Sequence, residues 1–265
     1  MEFLQILILA VVQGLTEFLP VSSSAHLVLV PWLTDWQDQG LAFDVAVHFG
    51  TLIAVVVYFR QEVKNVTVAC IGSVTGAGMS TDARLGWMIA VATLPAIFTG
   101  LFLSGGVETY ARSPKVIAFT TIIFGALLLL ADRLGKQTRN EQSLSFTDAL
   151  IIGVAQAIAL IPGTSRSGIT ITAALALGLS RQAAARFSFL MSIPTITCAL
   201  LYLLLKMYKN SVPIEWLSML LGAVLAAISA YFCIHFFIRL LERLGMLPFV
   251  IYRFLLGGIL LFLVY

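Results

Sequence analysis

Six apolar stretches in this chain are long enough to cross a bilayer unaided, near residues 41–59, 85–103, 116–131, 186–206, 216–237 and 248–265. The third is short and gains length if its helix starts at Pro114, a residue suited to a first helical position. A lipid core offers no partner to an exposed backbone group, so runs of this kind fold as helices that bond internally. With 60% hydrophobic and only 11% charged residues, the chain is excluded from the ordinary soluble domains and is a polytopic membrane protein. Its sixteen Lys and Arg are scattered singly, and the net charge is only +3, which argues against nucleic-acid binding. Cys70, Cys198 and Cys233 follow no metal-ligand spacing and read as structural. Phe3 to Val12 lacks a basic flank and a small-residue cleavage site, so it does not read as a removable signal peptide.

Two further apolar segments are broken by polar turns. One runs Gln13-Gly14-Leu15-Thr16-Glu17-Phe18-Leu19-Pro20-Val21-Ser22-Ser23-Ser24-Ala25-His26, the other Gln156-Ala157-Ile158-Ala159-Leu160-Ile161-Pro162-Gly163-Thr164-Ser165-Arg166-Ser167-Gly168. A charge at the centre of a membrane helix costs about 2.5 to 3.5 kcal/mol on insertion scales, so polar breaks of this kind mark function by default. The arms are short: Leu27 to Leu33 would give about 10 Å of helix, and Ile169 to Leu179 about 16 Å. Neither spans a core about 30 Å thick. Both segments are therefore expected to be re-entrant hairpins, with Pro20 and Pro162 ending the entering helices.

The halves resemble each other beyond these breaks. Phe43 and Thr51 recur as Phe187 and Thr195, and Pro114-Lys115-Val116-Ile117 recurs as Pro248-Phe249-Val250-Ile251. The expected fold is all-α: six transmembrane helices plus two re-entrant hairpins, arranged as a first repeat over 1–135 and a second over 136–265. Three crossings per copy invert the second copy. With both hairpins re-entrant, the interhelical loops carry ten Lys or Arg on one side and four on the other. The positive-inside rule then puts both termini on the non-cytoplasmic side. Arg166 and Arg253 remain as the membrane-embedded cations.

Gln13 and Glu17, four apart on a helix, share one face, and their oxygens can converge on a ligand. A carboxylate there can hold Mg²⁺ or Ca²⁺, activate water or accept a proton. Ser22, Ser23 and Ser24 supply hydroxyls and amides, although membrane hydroxyls commonly bond a backbone carbonyl. His26 supplies an imidazole able to move a proton near neutral pH. In the second break, Thr164, Ser165 and Ser167 between Gly163 and Gly168, with the permanent charge of Arg166, have the ingredients of an anion cradle. Arg166 can equally pair with Glu17 and lock the hairpins together. Asp44 and His48, one turn apart, either face the same cavity or pair with each other. Arg253 is expected to snorkel or to pair with a partner helix, and Trp32, Trp36 and Trp216 to anchor the interface.

These motifs resemble those of the bacterial undecaprenyl-diphosphate phosphatases, membrane enzymes linked with bacitracin resistance. The likeness rests on Gln13 through His26, on Pro162 to Gly168, and on Ser180-Arg181-Gln182-Ala183-Ala184-Ala185-Arg186-Phe187-Ser188-Phe189-Leu190, and it covers nearly the whole chain. It implies removal of the terminal phosphate of undecaprenyl diphosphate in the bacterial inner membrane, with a divalent cation, recycling the carrier lipid for the cell wall. It also implies functional roles for Glu17, Ser23, His26 and Arg166, with Glu17 toward the metal. Gln13 stands where some members carry Glu, which puts in doubt any mechanism needing this position as metal ligand or base. His48 stands where other members can show Gln, and no role transfers to it. The nucleophile is open between Ser23, His26 and water. Partners are then a prenyl diphosphate and membrane lipids, with a homodimer left open. A flippase or transporter for the same lipid is the competing class, because broken helices in inverted repeats are a transporter architecture.

Overall fold

A computed structural model describes residues 1–34, 36–110, 113–212 and 214–264, without the side chains of 103–110. The six apolar stretches become α3 (Gly40–Tyr58), α5 (Thr81–Tyr110), α6 (Pro114–Leu134), α9 (Arg181–Lys209), α10 (Trp216–Leu244) and α11 (Leu247–Val264). All six are long and apolar enough to cross a membrane. The broken segments become two pairs of shorter helices, α1 (Phe3–Thr16) with α2 (Ser23–Thr34), and α7 (Phe146–Ile158) with α8 (Arg166–Ala176). Their lengths fit re-entrant hairpins, since none is long enough for an upright crossing. Side chains such as Phe102, Phe262 and Phe98 stand exposed on the surface, as expected where lipid is the solvent.

Local chemistry sets several boundaries. Ser113 caps α6 by accepting from the Val116 amide, with Pro114 in the first turn, so this span does begin at the proline. Ser145 and Asp148 form a reciprocal capping box at the start of α7. The hairpin prolines do not end the entering helices: α1 stops at Thr16 and α7 at Ile158, each four residues short of its proline. Pro20 and Pro162 sit instead inside the turns, where a missing amide costs no helix bond. The stretch 60–84, read from sequence as a loop, contains α4 (Arg60–Val74), which has no buried residue and leans on α5. Its polar pattern carries no spanning signal, and tertiary contacts give it a place, chiefly those with α5 and the ion pair of Glu62 with Arg186.

Helices from the two halves interleave. α1 packs on α10 and α7 on α5, while α6 lies against α11 and α3 against α9. The first arms both approach closely: a Cβ on Gly14 would come within 2.7 Å of the Ala226 carbonyl oxygen, and one on Gly153 within 2.5 Å of that of Ala92. Behind the hairpin tips, Phe18, Phe189, Phe237 and Phe59 form one aromatic cluster, with Phe18 edge-on to Phe189 at 5.3 Å.

Candidate active site

The two hairpin tips meet. Each second helix is entered through a serine in the left-handed region, Ser22 at φ 74° before α2 and Ser165 at φ 71° before α8. A non-glycine residue there is strained by about 1 to 3 kcal/mol and persists only where its surroundings impose it. The shared strain makes Ser23 and Arg166 the first residues of equivalent helices. Both reach Glu17, which caps the end of α1. The Ser23 hydroxyl donates to Glu17 Oε2 at 2.6 Å, and Arg166 donates to Glu17 Oε1 at 2.9 Å. Gln13 Nε2 donates to Oε2 at 2.9 Å, as their spacing on one helix face requires. His48 Nε2 stands 3.8 Å from the same oxygen, because its Nδ1 is turned toward the Asp44 carbonyl at 2.7 Å.

Glu17 is buried yet fully partnered, which is the condition for keeping a charge in such a place. Arg166 also donates to the Ser188 carbonyl at 3.3 Å and lies over the Phe18 ring, 5.9 Å from its centroid. Its direction is thus fixed on three sides.

The other expected residues surround this cluster without joining it. His26 Nδ1 lies 2.7 Å from the Ser22 carbonyl, and its Nε2 lies 2.5 Å from the Tyr252 hydroxyl, with the two rings stacked. Neither ring nitrogen contacts Glu17. Ser22 and Ser24 pair with each other at 3.3 Å, as Ser165 and Ser167 do at 3.2 Å. Ser165 caps α8 at the Gly168 amide, and Ser167 donates across to the Leu19 carbonyl, tying one tip to the other. The Thr164 hydroxyl is buried without a hydrogen-bond partner.

Three residues stand where the sequence had left alternatives open or had given no sign. His48 joins Glu17 rather than pairing through the Asp44 carboxylate, which instead accepts from Gln39 Nε2 at 2.8 Å. Tyr252 meets His26, with nothing in its local sequence to announce it. Arg253 does not snorkel; it takes the other expected course and bonds a partner helix, α6, through the carbonyls of Thr121 and Thr120. It is fully buried and donates to the carbonyls of Thr121, Pro20, Thr164, Thr120 and Gly163, binding both tips to α6. Its only sequence signal was to be a cation left over when the loops had been counted. Gly163 has φ +87°, and a Cβ there would strike the Thr120 hydroxyl at 2.1 Å, so the tip needs glycine to reach α6.

Among the described residues no three His, Cys, Asp or Glu gather around one point, so the protein alone does not cage a metal. It does present the Glu17 carboxylate beside Gln13 Oε1, which is buried and accepts no hydrogen bond. One carboxylate with a neutral oxygen, completed by phosphate oxygens, suits Mg²⁺, which seldom takes an all-protein cage. The donor set therefore fits a cation that arrives with its anionic ligand.

The family model for bacitracin resistance protein BacA matches residues 6–259. The chain belongs to the BacA family. Among curated relatives, the undecaprenyl-diphosphatase of Thioalkalivibrio sulfidiphilus is 57% identical over 264 residues, covering 99% of both chains. Undecaprenyl-diphosphatase 2 of Stutzerimonas stutzeri is 58% identical over 266 residues, covering 99% of this chain and 98% of its own. Undecaprenyl-diphosphatase 1 of Pseudoalteromonas translucida is 54% identical over 264 residues, covering 99% of each. In BacA terms, all three stretches that carried the sequence resemblance lie inside the matched span, and two of them supply the meeting tips.

Proposed function

We propose that this chain is a membrane phosphatase that converts undecaprenyl diphosphate to undecaprenyl phosphate and phosphate, serving cell-wall synthesis from the bacterial inner membrane. The observation that carries the chemistry is the short bond from Ser23 to a carboxylate whose other oxygen is held by Arg166. Ser23 Oγ attacks the terminal phosphorus and passes its proton to Glu17. The bond from phosphorus to the bridging oxygen breaks, and undecaprenyl phosphate leaves. Water then cleaves the phosphoserine, releasing phosphate and restoring the hydroxyl.

Arg166 exchanges part of its hold on Glu17 for the phosphate oxygens and stabilises the charge that spreads over them in the transition state. The amides and hydroxyls of Thr164, Ser165 and Ser167 support the diphosphate from the second tip, and Gln13, Ser22 and Ser24 from the first. His26 is the proposed acid for the leaving oxygen once its Nε2 gives up Tyr252. Glu17 and Gln13 Oε1 would hold Mg²⁺ or Ca²⁺, which supplies neutralisation of the phosphate charge when bound.

Two copies, 1–135 and 136–265, related by inversion, are supported by the exchanged packing of α1 on α10 and α7 on α5 and by the matching strained serines. The loop charges support termini outside the cytoplasm, with the first hairpin entering from the outer side. An outward-opening pocket suits a carrier whose diphosphate is released on that side.

Phosphate release from purified undecaprenyl diphosphate in detergent, with and without EDTA, tests the activity. No release with any added metal would favour the lipid transporter. A phosphoenzyme trapped by acid quench is expected in the native chain and not in Ser23→Ala; equal trapping in both would remove Ser23 as nucleophile.

A further inference from the structure

The two seams between the halves differ. On one side α3 lies directly on α10: a Cβ on Gly50 would stand 2.1 Å from the Ala223 carbonyl oxygen, and one on Gly222 would stand 2.7 Å from the Phe43 ring. The corresponding seam, α9 with α5, carries an internal proline in each helix, Pro194 and Pro95. Proline inside a helix removes one backbone bond and bends the axis, so a proline in each helix works against close contact along the seam. A cavity of about 310 Å³ lies along this seam, lined by Ala96 and Thr195, which follow those prolines in sequence, by Ile97 and Ala199, and by Leu160 and Arg166 from the second hairpin tip.

We infer that this groove seats the first isoprene units of a polyprenyl diphosphate, with Arg166 meeting the diphosphate at its inner end. The inference rests on the phosphatase reading above and adds to it where the lipid lies. Three observations favour this occupant. The walls are apolar, and the two polar side chains in the lining other than Arg166 and Tyr202, Gln156 and Thr195, bond each other at 3.2 Å, so they make no demand on a ligand. The cation in the lining is the same Arg166 that holds Glu17, so an anion at the groove's end is already at the reacting cluster. Leu101 and Tyr202, also in the lining, are exposed on the face that lipid would cover, giving a sideways entry.

An apolar chain carrying a diphosphate head matches both ends of such a groove. A free phosphate would match only one. At about 310 Å³ the space lies at the lower end of ligand pockets, so only the head-proximal units enter and the rest of the chain stays in the bilayer.

The test compares undecaprenyl diphosphate with inorganic diphosphate, the short substrate, which has no isoprene unit to seat in the groove, in the native chain and in Ala199→Trp. The expected result is a fall of about tenfold or more in the ratio of kcat/KM for the long substrate to that for the short one. Equal effects on both substrates, or no effect on either, would overturn the groove. Native enzyme inactive on both would instead overturn the phosphatase reading. A second measurement does not depend on turnover or on the bulky variant. In a Cys70→Ser, Cys233→Ser background, alkylation of the groove residue Cys198 by N-ethylmaleimide should be slowed several-fold by farnesyl phosphate and not by inorganic phosphate. Failure of farnesyl phosphate to protect, or equal protection by inorganic phosphate, overturns the assignment.

Discussion

The two hairpins share a backbone and differ in chemistry. Each has a first helix ending four residues before a proline, a strained serine, and a second helix beginning at the residue that touches Glu17. At that shared position one hairpin carries a hydroxyl, Ser23, and the other a guanidinium, Arg166. A repeated backbone thus delivers two unlike groups to one carboxylate, which neither hairpin could do alone. The contrast teaches that two like backbones can bring unlike side chains to one point, with the chemistry set by the residue at a single position.

The largest effect is expected from removing the group on which both hairpins converge. Glu17→Gln keeps the shape and loses both the proton acceptor and the counter-ion, and turnover should fall by about 10³ to 10⁴ in a phosphate-release assay. A fall of less than tenfold would mean that the tips meet without cooperating. Arg166→Lys keeps the charge and loses the fork, so kcat should fall by about 10² with a smaller change in KM. Activity close to native would make the second hairpin a scaffold and leave the chemistry to the first.

Arg253→Met tests whether the tips need an external tie. It leaves five carbonyls without their buried donor, and the expected outcome is a loss of about 2 to 4 kcal/mol in stability, read as a lower melting temperature in detergent, with activity lost in parallel. An unchanged melting temperature would show that the tips hold each other. The smallest effect belongs to His48→Gln, expected to reduce turnover about threefold in the phosphate-release assay, because the change removes the ring nitrogen that stands 3.8 Å from Glu17 Oε2. Unaltered turnover would remove His48 from the site.

Much of this was legible from the chain itself. The six spans follow from the length of apolar runs, because a bilayer admits little else, and the hairpins follow from the cost of placing Glu17 and Arg166 where lipid should be. The meeting of Gln13 with Glu17 is local and follows from helical spacing. His48 was visible as a histidine one turn from Asp44, but its partner lies in another helix, and helical spacing says nothing about contacts between helices. Tyr252 and Arg253 sit near the far end of the chain and act on tips more than eighty residues away. No local pattern encodes that reach.

The sequence alone therefore determined the membrane class, the spans, the two polar breaks and the chemical inventory at each, since these depend on transfer costs and on neighbours within a helical turn. Tertiary structure decided which oxygen of Glu17 each hairpin holds, that Arg253 ties the tips instead of reaching for the interface, and that the α5–α9 seam stays open while the α3–α10 seam closes. Those outcomes depend on how closely two helices approach. That distance is set by pairs such as Gly50 with Ala223, which have no relation in the sequence until the fold brings them together.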